Sequence, residues 1–240
     1  MNKTVLRPCP HVFQRLRTAL VLLIGLSLFF RCAPPPPSLT NLPEIIESVQ
    51  GYASLKITAE GNAARSRFSF VFSHPDRAWI ESTDILHRSL FQVVMAEGES
   101  YLVIPSKKVF WKGREEEIMN HLFGFPLNLR EMSAMICGRW EKRLRSMSDT
   151  DEEWRLKRDA SGRFVSGERG DVSFEIKEFI EKTPVARVFE FFSSGVEGRV
   201  KILRIDINSP LRHGLFSSSF TENFAELSWE QILDILNSGR

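Results

Sequence analysis

The chain has 240 residues, with 32 Lys and Arg against 30 Asp and Glu and three cysteines. Its positive balance is local: residues 1–32 hold five of the basic residues and no acid, leaving 27 against 30, a formal charge of −3, for the remainder. A body without net cationic charge has no electrostatic basis for nucleic-acid binding. A lone Cys137 beyond the leader excludes an internal disulfide, so packing must hold the fold.

The first segment carries Lys3, Arg7, Arg15 and Arg17, then the apolar run Ala19 to Phe30, then Cys32 and Pro34-Pro35-Pro36-Pro37-Ser38. A basic start and an apolar run shorter than the roughly 20 residues of a membrane span describe an export signal. A cysteine at its end, before a stiff proline tether, resembles the lipid-attachment site of a bacterial lipoprotein. Residues 1–31 are then a signal peptide, Cys32 the acylated residue, 32–41 the tether, and 42–240 the working domain. Arg31 and Phe29 stand where such signals usually carry a small residue and Leu. Ordinary cleavage after Ala33, an uncleaved anchor, and a cytosolic chain with a misassigned start therefore stay open.

Next, Asn41-Leu42-Pro43-Glu44 opens a stretch in which Leu42, Ile45, Ile46 and Val49 share one helical face up to Gly51, which predicts a short amphipathic helix. Beyond Gly51 the period changes to two. Leu55 and Ile57 alternate with Lys56 and Thr58, and Phe68, Phe70 and Phe72 fall on one face of the following strand. Strands are also expected over Arg77–Ser82, Leu90–Ala96, Ser100–Ile104 and Val109–Trp111, with Glu97-Gly98-Glu99 as a tight turn. Helical periodicity covers Glu115–Phe123 and Leu127–Ile136, the former with acids in its first turn and the latter closed by Gly138. After a charged connector, Lys142–Glu152, strands are expected over Trp154–Arg158, Arg163–Ser166, Val172–Glu178, Ala186–Phe192 and Arg199–Asn208. Asp159-Ala160-Ser161-Gly162 and Gly167-Glu168-Arg169-Gly170 read as turns, and Ser228-Trp229-Glu230-Gln231 as a capping box opening a final helix.

About eleven antiparallel strands interrupted once by two helices describe a mainly β fold, a curved sheet or unclosed barrel whose concave face the helices cover. Phe68, Phe70, Phe72, Trp79, Ile80, Phe91, Val93 and Met95 supply a continuous apolar surface. It is a filled core if the sheet closes on it, and an acyl-chain pocket if a lid leaves room. Arg67 and Arg77 are candidate headgroup contacts at its mouth, or ordinary solvated strand residues. Cys137, inside Met135-Ile136-Cys137, reads as a small buried hydrophobe.

No catalytic role is expected. His74, His87, His121 and His213 match no metal spacing, and neither a nucleophile elbow nor a phosphate or dinucleotide loop is present. No metal and no cofactor is implied.

The order of elements resembles the LolA/LolB superfamily of outer-membrane lipoprotein receptors and carriers, with a domain-of-unknown-function branch as an open alternative. The resemblance rests on the cysteine and tether, Tyr52-Ala53-Ser54-Leu55-Lys56-Ile57, the phenylalanine strand, His74-Pro75-Asp76-Arg77, Asp84-Ile85-Leu86, Ile136-Cys137-Gly138 and Asn208-Ser209-Pro210-Leu211. It implies an unclosed barrel of eleven strands with a helical lid over an apolar cavity. It also implies binding of the acyl chains of lipoproteins or phospholipids and delivery from a periplasmic LolA-like carrier. The expected location is the periplasmic face of the outer membrane, held by the lipid anchor, with the chain acting as a monomer. In the family, a loop between the third and fourth strands projects a leucine into the bilayer. Leu86 stands at that place, flanked by Ile85 and Leu90, with His87 where glycine is usual. The alternative reading of the turn folds Ile85 and Leu86 back on the sheet edge. The alternative function is an envelope protein of the same fold that senses lipid or docks a partner without transfer.

Overall fold

The structure, a computed structural model, describes residues 39, 42–84, 86, 88–96, 98–124, 127–139 and 154–238. The expected signal segment, Cys32, most of the tether, Ile85, His87 and the charged connector lie outside the described residues.

Six strands lead the fold: β1 (Ser48–Ala59), β2 (Asn62–Ser73), β3 (Arg77–Thr83), β4 (Ser89–Ala96), β5 (Glu99–Ile104) and β6 (Val109–Gly113). Two helices follow, α1 (Glu115–Phe123) and α2 (Leu129–Cys137). The chain then returns to strands β7 (Arg155–Arg158), β8 (Phe164–Arg169), β9 (Val172–Phe179), β10 (Ala186–Ser193) and β11 (Val196–Ile207). Two short 3-10 helices, Pro105–Lys107 and Ser219–Glu222, a two-residue β12 (Ala225–Glu226) and α3 (Trp229–Ser238) complete the described elements. All twelve strands join one sheet in the order β12-β6-β5-β4-β3-β2-β1-β11-β10-β9-β8-β7, whose two ends do not pair. Each ladder is antiparallel except β12 with β6. This is the expected unclosed barrel, with β12 the strand too short to be seen in a sequence pattern.

The β1–β2 hairpin shows how local chemistry sets register. Ala59 faces Asn62 across a two-residue turn in which Glu60 and Gly61 both have positive φ (50° and 78°). That twist matches the strands it joins and is most easily adopted by glycine. From this turn the pairing runs unbroken to Ser48 opposite Ser73.

Two expected elements are replaced. No helix forms over residues 42–50, because β1 starts at Ser48 and takes Val49 into the ladder between Phe72 and Ile207. The Asn208 side chain fixes this entry, accepting from the Glu47 and Ser48 amides at 2.8 and 3.1 Å and donating to the Ile45 carbonyl at 2.8 Å. Sheet pairing thus overrides a weak helical stripe that begins at a proline. The expected turn over Gly167–Gly170 shifts as well: β8 continues through Arg169, and the chain reverses at Gly170-Asp171.

The core lies on the concave side of the sheet, beneath α1 and α2. Ile118 and Met119 from α1 and Met132, Met135, Ile136 and Cys137 from α2 join Phe70, Ile80, Leu102, Phe174, Phe191 and Ile202 in one buried cluster. A second, smaller cluster on the outer side packs Val94, Val103 and Phe110 with Trp79, Tyr101, Phe220 and Phe224.

Candidate functional site: an apolar concave face under a helical lid

Because paired residues in an antiparallel ladder share a face, register alone assembles the candidate surface. Phe68 stands opposite Ser82, Phe70 opposite Ile80 and Phe72 opposite Ala78, and the same face continues through Val93, Met95 and Leu102. Phe70 and Phe72 stack with centroids 5.3 Å apart. Gly51 makes room for them: a Cβ there would lie 2.6 Å from the Phe70 ring and 2.5 Å from the Arg204 carbonyl. Phe68, Phe70, Phe72, Ile80, Val93 and Met95 are buried, and Phe91, opposite Ser82, packs partly buried against them.

Trp79 does not belong to this surface. It faces Val71 and Val94, on the other side from its neighbour Ile80, and packs in the outer cluster. Adjacent strand residues point to opposite faces, so Trp79 and Ile80 could not both line one cavity.

The lid is pinned at two places. Asn128 caps α2 reciprocally with Glu131: the Glu131 amide donates to Asn128 Oδ1 at 2.8 Å, and the Asn128 amide to Glu131 Oε2 at 3.1 Å. The same buried carboxylate takes the Trp154 indole N–H at 2.8 Å on Oε1 and the Arg169 guanidinium on both oxygens. This ties α2 to β8. The first lid helix meets the C-terminal helix through rings: His121 stacks on Trp229 at 4.0 Å and 13°, and Trp111 lies 5.1 Å from Trp229. On α2, burial pushes the Cys137 thiol up to about 12, against a smaller opposing hydrogen bond with Ser133.

The β3–β4 turn is organised by Asp84. Its carboxylate accepts from the Leu86 amide at 2.8 Å, the Arg88 amide at 2.9 Å and Arg88 Nε at 2.6 Å. Those bonds, chiefly the one from the Arg88 amide, hold the carboxyl below the ordinary aspartate range. Leu86 is presented to solvent at 67% exposure and Leu90 at 44%. Leu86 therefore does not fold back on the sheet edge.

A cleft of about 760 Å³ opens at the end of the sheet that carries the β2–β3 and β4–β5 turns and the start of α1. Its lining is mixed in charge: Arg77, Lys112, Arg114 and Arg130 face Asp76, Glu99 and Glu115–Glu117. Arg77 borders it, donating to Ser73 Oγ at 3.1 Å with its guanidinium 5.0 Å over Phe216. Arg67 does not. It precedes the buried Phe68 and so stands on the outer face, opposite Ser54 and Thr83. Among the described residues no three His, Cys, Asp or Glu side chains are grouped to hold a metal ion, and no helix is long and apolar enough to cross a membrane.

No family model matches the sequence, and no curated protein is similar to it. Solved structures are similar in fold. A LolA superfamily protein from Nitrosomonas europaea superposes with a TM-score of 0.51 at 12% identity, covering 75% of this chain and 93% of that one. A domain from Vibrio parahaemolyticus named for outer-membrane lipoprotein sorting gives 0.51 at 8% identity, covering 73% and 92%. A DUF1329 family protein from Desulfovibrio piger gives 0.50 at 9% identity, covering 73% and 92%. The chain has the LolA/LolB-like fold. At these identities the likeness extends to architecture, and residue roles must come from this chain's own geometry.

Within the LolA/LolB-like fold, four features escaped the sequence reading. The lid residues Ile118, Met119, Met132 and Met135 carry a helical stripe that was readable. Glu131 was readable as the third residue after a capping Asn128. Its bond to Arg169, and the ring contact of His121 with Trp229, join segments that only the fold brings together.

Proposed function

We propose that the chain is an exported, lipid-anchored envelope protein that takes acyl chains of lipoproteins or phospholipids between the concave sheet face and the helical lid, and helps place them in the outer membrane. The observation that carries this reading is the nature of the cover. The apolar face is closed by a short helical pair that places Met119, Met132 and Met135 in the same buried cluster as Met95. Methionine repacks around varied shapes at low cost, so lifting the pair exposes a ready acyl-chain surface lined by Phe68, Phe70, Phe72, Ile80, Phe91 and Val93. Arg77 then borders the polar cleft where a headgroup or the polypeptide of the cargo would emerge. Leu86, with Leu90 and Ile85, is the membrane-engaging turn. An apolar side chain held at a turn tip gains about 25 cal/mol per Å² when it enters lipid. The names of the similar LolA-superfamily and lipoprotein-sorting structures support the same reading. Acylation of Cys32 and supply of cargo by a periplasmic LolA-like carrier complete the proposal.

The packed interior favours a second reading. Phe70, Ile80, Leu102, Ile118 and Met119 are buried against one another, as in a module that docks partners without loading lipid. Native mass spectrometry with lipid extraction, on the full chain purified from a membrane-containing host, separates the two. Stoichiometric acyl-chain adducts, or their uptake from added lipoprotein, support transport. A chain that stays free of adduct before and after incubation overturns acyl binding and leaves the docking module.

A further inference from the structure

The sheet's outer face is divided. Over β3, β5 and β6 it is covered by the C-terminal segment, where Phe220 packs against Tyr101 at 5.4 Å and Phe110 at 5.7 Å. Over β11, β1 and β2 most of the exposed outward charged residues are basic. Arg65, Lys56 and Arg199 stand directly opposite one another across three strands. Two residues along, Arg67, Ser54 and Lys201 make the next row, which Thr83 continues onto β3.

Like charges placed opposite each other destabilise an antiparallel pair, so this arrangement works against folding. Edge protection does not account for it. Lysine and arginine blunt the exposed edges of sheets, whereas β11, β1 and β2 lie in the middle of the strand order. Neutralisation is partial at best. Arg199 reaches Glu190 at 2.6 Å, but Glu190 also serves Lys177 at 3.4 Å. Three further acids share this face: Glu197 opposite Thr58, Asp206 opposite Gln50 and held by Arg204 at 3.0 Å, and Glu81 opposite Ser69, which accepts from Gln92 at 2.9 Å; none of them is bonded to Lys56, Arg65, Arg67 or Lys201. Lys56, Arg65, Arg67 and Lys201 make no side-chain hydrogen bond or ion pair among the described residues. All this occurs in a body whose net charge is −3.

The rows also lead to the exposed leucine. Thr83, beside Arg67, is followed at once by Asp84 and the turn that presents Leu86, in which Arg88 is paired with Asp84, so among the described residues the unpaired cation beside this turn is Arg67. Cations next to a projecting apolar side chain are the combination that an anionic bilayer surface recognises, through headgroup attraction and shallow apolar insertion together.

We propose that the outer face of β11, β1 and β2, centred on Lys56, Arg65, Arg67 and Lys201, docks on anionic phospholipid headgroups and lays the Leu86 turn against the bilayer. This rests on the reading of Leu86 as the membrane-engaging residue, and it adds a lipid class and an orientation to that reading.

The test is flotation of the full chain with vesicles of phosphatidylcholine alone and of phosphatidylcholine mixed with phosphatidylglycerol. An acyl anchor contributes equally to both, so the ratio of partition coefficients isolates the charged face. The expected result is preference for the anionic vesicles that fades with added salt. It should fall roughly fivefold per cation removed in Lys56→Ser/Arg65→Ser/Arg67→Ser and persist in the charge-keeping Arg65→Lys/Arg67→Lys. Equal partition into both vesicles, or full preference in the serine variant, overturns the proposal. Capture by polyglutamate beads without any vesicle preference also overturns it, in favour of an acidic protein partner. Unchanged circular dichroism in the serine variant shows that it folds. Native mass spectrometry of its acyl adducts reads the lid site separately, so loss of docking and loss of acyl binding are distinguished.

Discussion

Trp154 donates its indole N–H to Glu131 at 2.8 Å, sharing an oxygen with the guanidinium of Arg169, whose side chain lies 4.9 Å over the Trp154 ring. One carboxylate thus caps a lid helix and ties it to the far half of the sheet. Removing one partner of a buried ion pair strands the other charge, at a cost of about 3–5 kcal/mol, whereas replacing both by well-packed apolar residues is often neutral. Glu131→Ala is therefore expected to lower the urea-unfolding free energy by about 3–5 kcal/mol, with Glu131→Met/Arg169→Met recovering most of it. A Glu131→Ala loss below about 1 kcal/mol, within the range of an exposed pair, would show that the anchor does not hold the lid.

The β3–β4 turn separates stability from function. Leu86 is exposed, so Leu86→Glu should change unfolding free energy by no more than about 0.5 kcal/mol. It should nevertheless abolish transfer of lipoprotein to acceptor membranes. A transfer rate equal to that of the parent chain refutes the role given to Leu86.

Asp84 sets the shape of that turn in its ionised form. Its carboxyl titrates below the ordinary 3.8, mainly because the Arg88 amide donates to it. A depressed folded-state value means that the contribution is present above the unfolded-state value and is lost as pH falls through the folded one. Hydrogen exchange at the Leu86 and Arg88 amides should be slowed relative to the intrinsic rate above about pH 4, lose that protection toward lower pH, and be unprotected at every pH in Asp84→Ala. Protection unaffected by Asp84→Ala would remove the carboxylate as organiser.

Gly198 offers a packing test of the core beneath the lid. A Cβ there would lie 1.7 Å from Phe191 Cζ, and that ring is 1% exposed in the core. Gly198→Ala must displace Phe191 and should cost about 1–3 kcal/mol, as overpacked cores do. The same substitution at Gly195, where nothing lies within 4 Å, fails through its backbone instead, since φ is +85°. Urea denaturation of Gly198→Ala alone, with near-UV dichroism to report the aromatic core, distinguishes displaced packing from simple loss of stability.

The meander was legible because its hairpins alternate cleanly and their turns carry glycine, as at Glu60-Gly61. What failed did so where pairing or sequence-distant contacts decide. The helical stripe of residues 42–50 lost to the ladder that Val49 makes with Phe72 and Ile207. Arg169 lies in a stretch that reads as a turn, yet becomes a buried strand residue because its charge is met by Glu131, 38 positions away. Trp79 and Ile80 are adjacent strand residues, so period two alone puts Trp79 on the outer face, and the sequence held that information. The rows of Lys56, Arg65 and Arg67 were not visible as rows, because register alone sets those residues opposite one another.

Cys137 turns the lid into something measurable. It sits on α2, buried, with its thiol pushed up to about 12 by that burial, so the reactive thiolate is scarce while the lid is closed. Raising the lid returns the side chain to water and toward the ordinary value of 9.0. Labelling by a water-soluble maleimide, located by peptide mapping, should therefore track lid opening and not overall reactivity. If acyl chains enter under the helices, saturating lipoprotein should change the Cys137 rate several-fold while global unfolding in urea remains a separate transition. If the helices only complete a permanent core, the rate should equal the global unfolding-limited rate and ignore lipid. Glu131→Ala should raise it by freeing α2. His121→Ala should raise it less, because the ring contact with Trp229 holds α1 and not the helix that carries the thiol.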